Sequence, residues 1–215
     1  MSDKIEFPIK YFRDLLKDAK KYIDYGYIDI DGKLKGRPDE GGLGEYLIIP
    51  SKADKLAPFG PIAFDVNEVS MALKDFKTKG LEYYKTDTTF YINDNTLENG
   101  PVMIPIPDKK YRYPKFVEFV WSKIGDYNYR KLNDDEMELL YAYNVANLTA
   151  YYNTSIDPIQ VIVSGKDFKL SKNLEGIYVA AVDHETLYQE KCKHSHAIIR
   201  ASYDTCDVYL LCGVV

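Results

Sequence analysis

The chain has 215 residues, 46% of them hydrophobic and 28% charged, and its formal net charge is −5. This balance is typical of a folded globular protein and argues against a generally basic nucleic-acid coat protein. Three cysteines, Cys192, Cys206 and Cys212, give no disulfide framework and favour a reducing compartment. Because no apolar run is long enough for a membrane span or a secretory leader, we expect a cytoplasmic protein without membrane contact.

The first half of the chain alternates between helical and strand-like patterns. Apolar residues at helical spacing predict an amphipathic helix over 8–23 and a second over 66–79, which is capped by Asp65. Asp31-Gly32 predicts a hairpin turn, and the glycine-rich, charged stretch 35–44 predicts a loop. The predicted strands of this half cover residues 4–7, 25–30, 45–50, 62–64, 81–85, 88–92 and 101–106.

The second half begins with a similar order of elements. The apolar run 116–121 predicts a strand, and Asn133 or Asp134 caps a third helix. The residues expected near the apolar face of this helix are Met137, Leu140, Tyr141, Val145 and Leu148. Further strands are predicted over 159–163, 168–170, 178–182, 197–201 and 207–212, and the segment 182–191 is read as a shortened helix.

This order predicts an α+β fold in which repeated β-α-β-β-β units place helices on one face of antiparallel sheets. We expect two domains, the first over 1–114 with a linker at 107–114, and the second, in a truncated form, over 115–215.

Catalytic motifs are absent from the sequence. There is no phosphate-binding loop, no G-x-S-x-G and no H-E-x-x-H, so we predict a non-enzymatic protein without a cofactor. Cys192, His194 and His196 alternate and would share one face of a strand, where they could hold zinc or form a Cys/His nucleophile pair. A small Cys/His metal-dependent enzyme is therefore one alternative. Exposed histidines with buried structural cysteines are the other reading of these residues.

The order and spacing of elements over residues 4–170 resemble the DNA sliding clamps, in particular bacteriophage clamps, proliferating cell nuclear antigen and the bacterial β clamp. The resemblance depends on short segments at Gly60–Val66, Leu73–Phe76, Asn93–Asn95, Ile104–Pro107 and Tyr113-Pro114, and on the order of elements from Phe116 to Leu170. It implies a replication processivity factor that encircles duplex DNA as a homotrimer of two-domain subunits. The implied partners are a DNA polymerase and a clamp loader.

Clamps hold DNA without reading its sequence, through basic side chains that face the phosphates. Applied to this chain, the resemblance predicts a DNA-facing set of Lys10, Arg13, Lys17, Lys20, Lys21, Lys74 and Lys77. It also predicts an apolar pocket for partner peptides near Tyr111, Tyr113, Phe116 and Trp121. The excess of Lys, Tyr, Asn and Ile indicates an AT-rich genome and a bacteriophage protein acting in the host cytoplasm. The main alternative is a clamp-like or unrelated α+β interaction module that does not encircle DNA.

Overall fold

The computed structural model describes residues 6–38, 45–77, 81–95, 98, 100–143, 145–152, 158–164, 173–182 and 196–213. The regular elements among these residues are helices and antiparallel strands, which confirms the predicted α+β class. The chain groups into two compact units, Met1–Gly42 with Ile48–Tyr111, and Leu43–Leu47 with Arg112–Val215. The predicted division of the chain after residue 114 stays a prediction.

The first unit contains two main helices and two antiparallel sheets. Its elements are α1 (Ile9–Ala19), β1 (Tyr25–Ile28), β2 (Leu34–Arg37), β3 (Tyr46–Pro50, of which Ile48–Pro50 belong here), α2 (Ala53–Leu56), a 3-10 turn (Ala57–Phe59), β4 (Ile62–Asp65), α3 (Val66–Ala72), β5 (Leu81–Lys85), β6 (Thr89–Asp94) and β7 (Val102–Pro105). The strands are ordered β4-β1-β2-β3 and β5-β6-β7. The hairpin predicted at Asp31-Gly32 is confirmed, since it joins β1 to β2, and Gly32 has a φ of 77°.

Aromatic side chains form the core that joins these elements. The ring of Phe7 lies 5.4 Å from that of Phe12 on α1, 4.9 Å from that of Phe59 on the 3-10 turn and 5.4 Å from that of Phe90 on β6. Phe12 also packs edge-on against Phe64 of β4 at 5.8 Å. Such pairs contribute about 0.5–1.5 kcal/mol each beyond the burial of their area. The cluster therefore fixes α1 to both sheets of the unit.

The loop predicted over 35–44 is wrong at its beginning, because residues 34–37 form β2. Gly36, which indicated a loop, is required by packing within the sheet. A Cβ atom on Gly36 would lie 2.6 Å from Cδ1 of Ile23 and 2.6 Å from the carbonyl oxygen of Tyr25. A glycine in a strand often marks such a close approach, and local sequence does not distinguish it from a loop glycine.

Both predicted helices of this unit are shorter than their periodic patterns. α1 ends at Ala19, and α3 ends at Ala72 although its pattern extends to residue 79. After α3 the backbone forms a hydrogen bond to another element instead of continuing the helix. The amide of Lys77 donates to the carboxylate of Asp94 on β6. The predicted cap is confirmed, since the side chain of Asp65 accepts from the amide of Glu68 at 2.8 Å.

The strand predicted over residues 4–7 is not confirmed in the part that can be described. Glu6 and Phe7 precede α1 without belonging to a strand, and the amide of Ile9 donates to the carbonyl of Phe7 at 2.8 Å. Lys4 and Ile5 lie outside the described residues.

The second unit is also built from helices and antiparallel strands. Its elements are α4 (Lys115–Ser122), β8 (Arg130–Lys131), α5 (Asp134–Tyr143), β9 (Val145–Tyr151), β10 (Pro158–Ser164), β11 (Leu174–Val182), β12 (His196–Tyr203) and β13 (Cys206–Gly213). The strands are ordered β13-β12-β11-β8 and β10-β9. The strands predicted over 159–163, 178–182, 197–201 and 207–212 are confirmed, whereas 168–170 and 183–191 lie outside the described residues.

The strand predicted over 116–121 is wrong, because these residues belong to α4. A continuous apolar run of this length fits a buried strand and a short helix equally well. In the helix, Val120 and Trp121 are buried while Glu118 is exposed, which divides the run into two faces. Pro114 stands directly before the first helical residue. At a helix start the missing backbone N–H of proline costs no hydrogen bond within the helix.

The beginning of α5 agrees with the prediction, but its end does not. Asn133 caps the helix reciprocally with Glu136, since each side chain accepts from the other's amide, at 2.8 and 2.9 Å. Arg130 donates to both carboxylate oxygens of Glu136, at 2.7 and 2.8 Å, and this holds the pKa of Glu136 below its usual value. Val145 and Leu148, expected on the helix, lie in β9, where they pair with Ser164 and Val161 of β10. These residues therefore form the strand pair β9–β10 and not the longer helix that the apolar pattern predicted.

None of the helices in the described ranges combines the length and the apolar character needed to cross a membrane.

Replacing Gly36 with alanine tests the close packing inside the first sheet. We expect Gly36→Ala to lower the free energy of unfolding by about 1–3 kcal/mol, because the new Cβ meets backbone and a buried side chain. The matched control is Gly125→Ala, since a Cβ at Gly125 meets nothing within 4 Å. Denaturant unfolding of both variants measures the difference, and equal midpoints would contradict the packing argument.

Candidate nucleic-acid interface and cationic pocket

α1 divides sharply into a buried and an exposed face. Phe12, Leu15 and Leu16 are fully buried against the sheet. Lys10, Lys17 and Lys20 are exposed, and so is Asp14, which lies between the first two. The 3.6-residue period of the helix causes this division, because the apolar residues recur at intervals of three and four. Three of the seven lysines and arginines predicted to face DNA thus share one exposed surface.

Two other predicted DNA-facing residues have partners inside the protein. The guanidinium of Arg13 donates to the carbonyl oxygens of Phe76, at 2.5 Å, and Lys74, at 3.4 Å. Lys21 pairs with the buried carboxylate of Asp18 at 2.7 Å. Arg13 therefore ties α1 to the segment that follows α3, and Lys21 neutralises a buried acid.

Lys74 and Lys77 are exposed, but they follow α3 rather than belonging to it. Because Arg13 donates to the backbone carbonyls of Lys74 and Phe76, the segment that carries Lys74 and Lys77 is held beside α1. The basic surface of the first unit consists of Lys10, Arg13, Lys17, Lys20, Lys74 and Lys77, and we call it the α1 surface.

Three of the four aromatic residues predicted to bind partner peptides pack within the second unit. Tyr113 is buried, and its hydroxyl donates to the carbonyl of Tyr46. Its ring lies 6.3 Å from that of the buried Trp121, whose indole Nε1 has no hydrogen-bond partner among the residues that the structure describes. Phe116 lies against the imidazole of His196, with ring centroids 4.9 Å apart. These contacts are those of core packing.

Tyr111 belongs to the first unit, where it lines a pocket that the sequence did not indicate. The pocket has a volume of about 290 Å³, and its walls include Tyr25, Tyr27 and Lys35 of the sheet and Lys109 of the segment after β7. The rings of Tyr27 and Tyr111 lie 6.0 Å apart. A sequence signal for this pocket exists, because Tyr25 and Tyr27 on one strand, and Lys35 and Arg37 on the next, each alternate with a glycine and so share a face. The prediction of a loop over 35–44 excluded the second strand.

Asp29 organises the edge of this pocket. Its carboxylate, of which 6% is exposed, pairs with Lys35 at 3.0 Å and with Lys110 at 3.1 Å. It also accepts from the amide of Ile30 at 2.8 Å. Burial acts to raise the pKa of Asp29, but the hydrogen bonds from Lys35, Ile30 and Lys110 outweigh it, so the pKa lies below its usual value. Asp29 thus links the β1–β2 hairpin to the segment after β7.

The residues considered for metal binding are only partly described. Cys192 and His194 lie outside the described residues, and His196 contacts Phe116 as stated. Cys206 is buried and Cys212 is half-buried. Within the ranges that the structure describes, no three His, Cys, Asp or Glu side chains lie close enough to hold a metal ion.

The chain is similar in fold to two solved structures from the family that the sequence resembles. No protein-family model and no curated protein matches the chain. The first structure is the PCNA of Thermococcus kodakaraensis, with 12% identity and a TM-score of 0.37 over 96% of this chain and 97% of that one. The second is the Helicobacter pylori beta clamp bound to a DNA ligase peptide, with 10% identity and a TM-score of 0.46. That match covers 96% of this chain and 65% of the clamp. Neither similarity assigns a function to this chain.

Replacing Asp29 with asparagine tests the electrostatic link. We expect Asp29→Asn to lower the free energy of unfolding by about 1–3 kcal/mol at neutral pH, because Lys35 loses its charged partner in a half-buried place. Since the folded-state pKa is depressed, this stabilisation exists above the unfolded value of about 3.9 and is lost as the pH falls through the folded value.

Urea unfolding of the wild type and Asp29→Asn between neutral and acid pH measures this effect. The exposed pair of Asp31 with Lys33 supplies the control, and Asp31→Asn is expected to change stability by less than about 0.5 kcal/mol. A difference between wild type and Asp29→Asn that stays constant down to strong acid would contradict the assignment.

Proposed function

We propose that the protein is a sliding clamp, a processivity factor that encircles duplex DNA and tethers a polymerase and other replication proteins without catalysis of its own. The observation that supports this most strongly is the α1 surface. A helix whose one face is fully buried presents Lys10, Lys17 and Lys20 on the other, on a chain whose net charge is −5. An acidic protein that groups basic side chains on the exposed side of one helix is suited to a polyanion.

The chemistry of this surface suits sliding better than fixed binding. Lysines are point charges on flexible stems, and they attract phosphates without the bidentate geometry that reads a base edge. Asp14 lies among them on the exposed side and weakens the attraction. The proposal is therefore binding that is sequence-independent and strongly dependent on salt.

Assembly as a homotrimer is part of the proposal, and the edge strand β7 is the proposed contact. Among the described strands, β7 pairs with β6 alone. Met103 on β7 is 63% exposed and Met71 on α3 is 74% exposed, and a pocket of about 510 Å³ lies between β7 and α3. Exposed apolar side chains beside an unpaired strand edge are typical of a surface that another chain covers.

A protein-interaction module that does not encircle DNA is the second candidate, and α5 is the observation that favours it. Its described exposed side chains include Asp134, Asp135, Leu139 and Tyr143, and none of them is basic. An acidic helix with exposed apolar groups repels phosphates and suits a protein partner. In the clamp proposal, DNA contacts belong to the first unit alone.

The α1 surface is tested by reversing its exposed charges. We expect Lys10→Glu, Lys17→Glu and Lys20→Glu together to lower retention on closed circular duplex DNA at least about tenfold, since three phosphate contacts become repulsive. The control reverses Lys55, Lys115 and Lys123, which are exposed outside the α1 surface, and should change retention little. Retention measured by gel filtration before and after linearising the DNA separates encirclement from simple binding. Equal losses in both triple variants would contradict the proposal.

The ring is tested by light scattering coupled to size-exclusion chromatography over a range of protein concentrations. For the wild type we expect a mass of about three subunits that decreases on dilution. Replacing both Met71 and Met103 with aspartate should shift the equilibrium toward the monomer, because charges are costly in a covered apolar contact. Both side chains are largely exposed in the subunit, so the double variant should fold normally. A strict monomer at high concentration would remove the self-assembling ring and favour the interaction module.

A further inference from the structure

The pocket lined by Tyr25, Tyr27 and Tyr111 lies on the side of the sheet away from α1. Successive residues of a strand point to opposite faces. A Cβ on Gly26 would meet Leu34, Phe64 and Val66 in the core, so Tyr25 and Tyr27 on either side of it point the other way. Their cross-strand neighbours are Arg37 and Lys35. The pocket therefore lies on the face of the sheet opposite α1, separate from the α1 surface.

Two cations of this pocket lack an ion-pair partner among the described residues. The nearby carboxylate of Asp29 is already shared by Lys35 and Lys110. The carboxylate of Asp65, which is opposite Tyr25 in the strand register, caps α3 by accepting from the amide of Glu68. Arg37 and Lys109 are exposed and take part in neither arrangement. The pocket thus presents two cations, Arg37 and Lys109, that make no ion pair with a described acid.

The walls between these charges are aromatic. Tyr25, Tyr27 and Tyr111 line the same pocket, and the Tyr27 and Tyr111 rings lie 6.0 Å apart at an angle of 31°. Tyr25 is 46% exposed and so offers its ring to a bound molecule. A guanidinium is suited to bidentate contact with a carboxylate, and phenol rings pack well on side-chain stems and peptide planes.

We propose that this pocket binds an acidic peptide segment of a partner protein, with carboxylates on Arg37 and Lys109 and with its side-chain stems on the tyrosine rings. Charge complementarity selects the class of ligand, and the volume of about 290 Å³ fits a few side chains rather than a nucleic-acid strand. The inference rests on the proposed tethering function, for which it names the chemistry of the partner segment. It differs from the pocket expected at Tyr113, Phe116 and Trp121, whose side chains are engaged in packing.

The test uses the full chain and a fluorescein-labelled probe peptide of alternating Asp, Glu and Tyr, with a control peptide in which Asn and Gln replace the acids. We expect saturable binding of the acidic probe that weakens with salt and is absent for the control peptide. Arg37→Glu with Lys109→Glu should weaken binding at least about tenfold, because two exposed attractions become repulsions. Lys55→Glu, an exposed change elsewhere in the same unit, should leave binding unchanged. Arg37→Lys should bind with intermediate affinity, since it keeps the charge but loses the bidentate geometry.

Several outcomes would overturn the proposal. Equal binding of the acidic and neutral peptides, or equal affinity in the wild type and the double variant, would remove the role of charge. Displacement of the probe by short single-stranded DNA at equal charge would assign the pocket to nucleic acid. A lower mass of the double variant in light scattering would assign it to a second copy of this chain.

Retention on circular DNA distinguishes this proposal from the clamp function. The double variant should be retained like the wild type, because its changes lie on the face of the sheet opposite α1. Binding of the acidic probe by a wild-type protein that is not retained on DNA would reject the clamp and leave the pocket in place. Normal retention without probe binding would reject only the pocket.

Discussion

The first unit depends on the burial of one face of α1 by an aromatic cluster. Phe12 packs against Phe7, from the segment before the helix, and against Phe64 of β4. Phe7 in turn contacts Phe59 of the 3-10 turn and Phe90 of β6. Because Phe12, Leu15 and Leu16 are completely withdrawn from water, the helix cannot rotate without exposing them. The orientation of the lysines on its other face is therefore set by hydrophobic packing and not by any interaction of the lysines themselves.

A second constraint acts at Asp29, on the opposite side of the sheet. One nearly buried carboxylate satisfies two lysines and a backbone amide, so the segment after β7 is held against the β1–β2 hairpin. Arg37 and Lys109 of the pocket make no ion pair with this carboxylate, which is shared by Lys35 and Lys110. The sheet of the first unit thus separates two basic regions, one on a helix and one in an aromatic pocket, that suit different anions.

Much of the fold could be predicted from the sequence wherever local chemistry determines structure. Capping by Asp65 and Asn133, the turn at Gly32 and the alternating strands of the second half follow from interactions within a few residues. Prediction was wrong where distant contacts decide, as at Gly36, which packs on Ile23, and at Val145, which pairs with Ser164. The α1 face could be read from its period, but the roles of Arg13 and Asp29 depend on residues far along the chain.

The placement of the aromatic residues gives the two units different optical properties. Twenty tyrosines are accompanied by a single tryptophan, Trp121, which is buried near Tyr113 in the second unit. Indole emission shifts to longer wavelength when water reaches the ring, and excitation energy passes from nearby phenols to indole. Tryptophan fluorescence therefore reports the opening of the second unit, whereas the far-ultraviolet circular dichroism reports both. Transitions that do not coincide would reveal that the two units unfold separately.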